Sequence, residues 1–126
     1  LEVRNCETGD RPELLRAMVH ANDAEIGAGD PLDVALLEYA AANGVEPAAP
    51  RHAEPRVSSR PFDSDVKFTR GTVQQAGRTV SYLKGAFEVL IARSSLSEQE
   101  RADWERRAEN GATQGYRVLG FAMAEG

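Results

Sequence analysis

Of fifteen basic residues only two are lysine, Lys67 and Lys84, and the thirteen others are arginine. Ala76-Gly77 reads as a two-residue hairpin turn. The register that follows sets Gln75 opposite Arg78, Val73 opposite Val80, Gly71 opposite Tyr82 and Thr69 opposite Lys84. Strand alternation then places Lys67, Thr69, Gly71 and Val73 on one face, with Lys84 diagonal to Lys67. Two ammoniums on one face at roughly 5–8 Å repel unless an anion sits between them. Gly85-Ala86 follows Lys84 with side chains small enough for a phosphate to approach the backbone at a helix start. The other reading is a pair of solvated lysines on an exposed sheet face.

Other chemistries lack their parts. Cys6 is the single cysteine, so no intrachain disulfide forms and a reducing compartment suits the chain. One cysteine with His20 and His52 makes no zinc spacing. No Gly-x-Ser-x-Gly elbow presents a serine to either histidine. Neither Gly-x-x-x-x-Gly-Lys-[Ser/Thr] nor Gly-x-Gly-x-x-Gly occurs; Gly27 and Gly29 begin the second, but Leu32 stands at its third glycine.

The elements that must hold the lysines belong to one small domain. The chain has 126 residues, 28% charged and 41% hydrophobic, with a net charge of −5, a balance that suits a folded domain rather than a disordered tail. An acidic surface argues against a nucleic-acid partner while permitting a local basic pocket. No run reaches the roughly 20 apolar residues of a membrane span, and no signal peptide is visible. The first residue is Leu1, which suggests a segment of something longer.

Asp10-Arg-Pro-Glu13 opens a helix that runs to about Ala21, with Leu14, Leu15, Met18 and Val19 at helical spacing. Asp30-Pro31 opens a second, with Asp33 at the positive end of its dipole, Val34, Leu37, Ala40 and Ala41 on one side, and Gly44 at its end. The proline- and alanine-rich stretch from Gly44 to Arg56 reads as a loop. Strands are expected over 56–62, 66–75 and 78–84, then a short helix over 86–93. A Ser97…Glu100 capping box opens a polar helix anchored by Trp104 and broken by Gly111 and Gly115. The last strand, Tyr116 to Ala124, is apolar on both faces and is expected at the sheet's centre. The fold class is α+β, an antiparallel sheet flanked by helices.

Four segments resemble the nucleotide-binding domain of P-type cation-transporting ATPases: Gly29-Asp-Pro-Leu-Asp-Val-Ala-Leu-Leu37, Pro61-Phe-Asp-Ser-Asp-Val-Lys67, Lys84-Gly-Ala-Phe-Glu-Val-Leu90 and Gly115-Tyr-Arg-Val-Leu-Gly120. They occur in the family's order, and the calcium- and sodium-pump-like branches match best; the histidine-containing signature of the heavy-metal branch is absent. The resemblance implies an ATP site in which Phe62 stacks on adenine. Lys67 would lie on the adenine side, Asp33 near the adenine edge, and Thr69 along the pocket wall. The Lys84-Gly85 pair would lie deep in the pocket, near base and phosphates, and Arg117 at the phosphate end. Phe87 stands where the family usually has proline. The phosphorylated Asp-Lys-Thr-Gly motif, the dephosphorylation loop and the membrane helices are not in the sequence. The resemblance therefore implies a monomeric insertion on the cytoplasmic side of the membrane, delivering the γ-phosphate to the phosphorylation domain of the same polypeptide, where magnesium would be held. A stand-alone small-molecule binder, or an interaction domain using the acidic helices, are the alternative readings of the same residues.

Overall fold

The computed structural model describes residues 10–24, 27–60, 65 and 67–125. Helix α1 (Arg11–His20) starts where Asp10 accepts a hydrogen bond from the Glu13 amide at 3.3 Å. Helix α2 (Pro31–Ala42) starts where Asp30 accepts from the Leu32 amide at 3.0 Å, with Pro31 in the first helical position, where its missing N–H costs nothing. Both starts are the ones expected.

The stretch expected to be a loop instead holds helix α3 (Ala48–Ala53). Pro47 caps it and Pro50 falls in its first turn, where no intrahelical donor is needed, so its prolines fit a helix start. Arg51 ties it down by donating to the backbone carbonyl oxygens of Ala24 and Asn22 at 2.8 and 3.3 Å.

Strands β1 (Arg56–Arg60), β2 (Phe68–Gln75), β3 (Arg78–Ala86) and β4 (Leu119–Glu125) form one antiparallel sheet in the order β1-β2-β3-β4. The β2–β3 register is the expected one, Gln75 with Arg78 through Thr69 with Lys84. The last strand corrects the expectation: β4 pairs with β3 alone among the described residues and lies at the sheet's edge, and β3 is the interior strand that joins it to β2. The first half of β4 is covered by helix on both faces, while Met123 and Ala124 beyond it are exposed. Leu119 and Phe121 pack against the α1–α2 core. On the other face, Gly120 lies under Leu90 of helix α4 (Phe87–Arg93).

Helix α5 (Glu98–Thr113) carries the expected capping box, Ser97 with Glu100. It runs through Gly111 and stops at Gly115. There a left-handed backbone lets the Tyr116 amide donate to Gly111 and the Gly115 amide to Ala112, closing a Schellman turn. Trp104 is half-buried, with Arg107 stacked 4.7 Å from its ring centroid.

The core lies between the α1–α2 layer and one face of the sheet. Leu15, Met18, Val19, Leu36, Leu37 and Ala40 form its helical part. Ala17 and Ala21 meet Val73, Val80 and Tyr82 from the sheet, and Phe121 touches both groups. Gly71 sits on this face against the end of α1: a β-carbon there would overlap the His20 carbonyl oxygen.

Candidate functional site

Lys84 lies in β3 on the same face as Val80 and Tyr82, which turns its side chain toward the helical layer. Its residue is 6% exposed, and its ammonium is ion-paired with the carboxylate of Asp33. Asp33 sits in the first turn of α2, where the dipole already favours a carboxylate. That turn is held by Asn22, itself 1% exposed, whose side-chain amide donates to the Asp33 carbonyl oxygen at 2.9 Å. The Asn22 side-chain oxygen accepts from the Ala24 amide at 2.9 Å, so the segment after α1 and the start of α2 are fixed together.

Thr69 is buried directly opposite Lys84 in the ladder. Gly85 pairs with Phe68, and a β-carbon on it would overlap the Lys67 carbonyl oxygen, so only glycine lets these backbones close. That same oxygen accepts from the Ala86 amide at 3.2 Å. Asp33, Thr69, Lys84 and Gly85 are thus brought together at one end of the sheet.

The expected lysine pair is not formed. Lys67 precedes β2 in a left-handed conformation, φ 69°, which takes it out of the strand alternation and leaves its side chain exposed. The anion that Lys84 needed is supplied from within the fold by Asp33. Arg117 is exposed, two residues before Leu119, the partner of Ala86, so the chain brings it to the same end of the sheet. Phe62 lies outside the described residues.

A cavity of about 860 Å³ opens between α1, α4, α5 and β4. Arg117 and Phe87 line it with Met18, Trp104 and Phe121, whereas Asp33, Lys67, Thr69, Lys84 and Gly85 do not. Among the described residues no three His, Cys, Asp or Glu side chains gather to hold a metal.

The residues that sequence reasoning missed are Asn22 and a polar cluster at the end of α1. His20, 2% exposed, bonds through Nε2 to Glu54 at 2.8 Å, and Arg56 donates to the His20 carbonyl oxygen at 2.6 Å and to Asp23 at 2.5 Å. Burial pushes the His20 pKa below its ordinary value, against the pull of Glu54. Burial likewise raises the Tyr82 hydroxyl, which accepts from Gln75 at 2.9 Å and donates to Glu13 at 3.2 Å. A histidine at the last turn of a helix carries no sequence signal that separates it from a solvated one.

No helix of the described residues is long and apolar enough to cross a membrane. The chain is 35% identical over 82% of its length to the cation-transporting ATPase pma1 of Synechocystis. It is 32% identical over 73% to calcium-transporting ATPase 1 of Lactococcus lactis, and 30% identical over 88% to a probable cation-transporting P-type ATPase of Mycoplasma genitalium. It spans 12%, 11% and 13% of the lengths of these relatives. Residues 13–125, from α1 through β4, match the family model of P-type ATPase cytoplasmic domain N, and the chain belongs to that family.

Proposed function

We infer that this chain is the nucleotide-binding unit of an ATP-driven cation pump: it binds ATP and presents the γ-phosphate to the phosphorylation domain of the same polypeptide, on the cytoplasmic side of the membrane. The observation that carries the reading is the buried Lys84–Asp33 pair beside Thr69 and the tight Gly85 backbone. A carboxylate beside an ammonium offers an acceptor next to a donor. The adenine edge offers the reverse, an exocyclic amine for Asp33 next to a ring nitrogen for Lys84. Phe62 would stack on the base and Lys67 flank it, while Arg117 would take the phosphate end with its guanidinium fork. Placing and neutralising the triphosphate is the contribution such a unit makes to phosphoryl transfer. Magnesium would travel with ATP and be held by the phosphorylation domain.

The test is an ATP titration of the chain followed by backbone amide shifts, compared with Lys84→Ala and with Arg106→Ala on the exposed side of α5. Shifts should centre on Asp33, Lys84 and Arg117. Lys84→Ala should weaken binding about ten- to a hundredfold, the value of one charge-assisted hydrogen bond in a partly desolvated site. Arg106→Ala should leave it within about twofold. Shifts confined to α1, or equal affinity for both variants, would overturn the reading.

A further inference from the structure

The face of the sheet turned away from the α1–α2 layer carries a second basic feature. Arg60 of β1 stands directly opposite Arg70 of β2, so both side chains leave the sheet on the same side. Their row continues through Leu83 and Ala122. The rows on either side read Ser58, Thr72, Ser81, Ala124 and Phe68, Gly85, Gly120. No carboxylate stands in any of the three rows, although the whole chain carries a charge of −5. Arg93 of α4 adds a third guanidinium, lying over the Phe68 ring at 4.9 Å from its centroid.

Among the described residues neither Arg60 nor Arg70 is matched by a carboxylate, as several other arginines are. Arg16, Arg56, Arg78, Arg106 and Arg107 all find carboxylates. Among the described residues Arg60, Arg70 and Arg93 form no ion pair. The Nε of Arg70 is buried and is the one buried side-chain nitrogen or oxygen there with no hydrogen-bond partner. Like charges directly opposite in a ladder are unfavourable, and an orphaned buried donor adds to the cost. A bound anion meeting the terminal nitrogens of both guanidiniums relieves the first of these.

We propose that the Arg60–Arg70 pair is a binding site for a phosphate group, separate from the Lys84–Asp33 site on the opposite face. Each guanidinium presents two parallel N–H bonds, and a tetrahedral dianion has the charge and the oxygens to meet both forks. A single carboxylate, with one charge and two oxygens, meets only one. The phosphate belongs either to a free phosphate compound or to a lipid headgroup, the chemistry at the arginines being the same.

Inorganic phosphate titrated into the chain, followed by the arginine Nε–H resonances, tests the site. The Arg70 resonance should move in a saturable way, and Arg60→Gln, which removes an exposed side chain and spares the fold, should weaken binding about tenfold. Arg70→Gln should do the same if it folds. Vesicles of phosphatidylcholine with and without phosphatidic acid distinguish the sources. Capture by the acidic vesicles that Arg60→Gln abolishes, with no response to free phosphate, identifies a headgroup. Response to neither probe overturns the proposal, as does unchanged binding by Arg60→Gln. Acetate or an oligoglutamate peptide binding as tightly as phosphate overturns the phosphate assignment. A fall in ATP affinity in Arg60→Gln as large as that in Lys84→Ala would show that the two faces are not separate sites.

Discussion

Lys84 brings an ammonium into the covered face of the sheet, and the fold answers it with one carboxylate from a helix 51 residues away in sequence. The hairpin placed Lys84 beside Thr69 correctly, because cross-strand pairing is a local consequence of a two-residue turn. The partnership with Asp33 was not legible: it depends on how α2 docks, and each residue alone has a sufficient local reason to be where it is. The consequence for stability is opposite in sign to that of a like-charge pair. Lys84→Ala should destabilise the nucleotide-free chain by roughly 2–4 kcal/mol, because it strands a carboxylate that is largely buried. Lys84→Met, which keeps the stem, combined with Asp33→Asn should recover much of that loss. Urea unfolding of the single and double variants measures both, and a Lys84→Ala midpoint at or above that of the parent would mean the ion pair contributes nothing to the empty domain.

Elements were readable where their signals are local, in caps and turns. Asp10, Asp30 and the Ser97–Glu100 box all cap as their types demand. The α3 helix was hidden because prolines break helices in the interior yet suit a first turn, and periodicity over six residues cannot tell the two apart. The edge position of β4 was hidden because apolar residues on both faces report cover by helices as readily as cover by strands. The β2–β3 turn shows a residue working against its geometry. Ala76 has φ 50° and Gly77 φ 79°, the two left-handed positions of a type I′ turn, and alanine carries a steric penalty in the first. Ala76→Asn should therefore stabilise the chain by about 0.5–1 kcal/mol, read as a rise in thermal midpoint with no change in ATP affinity. Gly71→Ala should do the reverse. Its methyl would overlap the backbone at the end of α1, and a cost above about 3 kcal/mol, beyond the usual range for a single substitution, is expected. A Gly71→Ala chain that melts within a degree or two of the parent would mean α1 packs less tightly on β2 than described.

At the scale of the whole molecule, His20 is a junction between helices and sheet. It ends α1, bonds Glu54 after α3, receives Arg56 from β1 on its carbonyl oxygen, and lies 5.3 Å from the Tyr82 ring of β3. Burial lowers its pKa, and the charges around it divide: Glu54 favours the protonated ring, Arg16 and Arg56 oppose it. The net shift is downward, so the folded chain protonates His20 less readily than the unfolded chain, which takes up a proton near the ordinary pKa of about 6.5. Below that value the unfolded state binds more protons, and stability falls with pH by at most about 1.4 kcal/mol per pH unit for one group. The contribution is fully present above about pH 7 and is lost as pH drops through the window beneath 6.5, before carboxylates begin to titrate. Thermal midpoints should decline from pH 7.5 to 5.5 in the parent chain and in His52→Gln, whose histidine is exposed on α3. His20→Gln, which retains an amide donor for Glu54, should start lower and decline less. If the slope is the same in His20→Gln and in the parent, the protons are taken up elsewhere and the junction of α1, α3, β1 and β3 does not sense pH. If it flattens in His20→Gln alone, the acid sensitivity of this unit is set by one buried ring on the side of α1 that faces α3 and β1, away from Lys84.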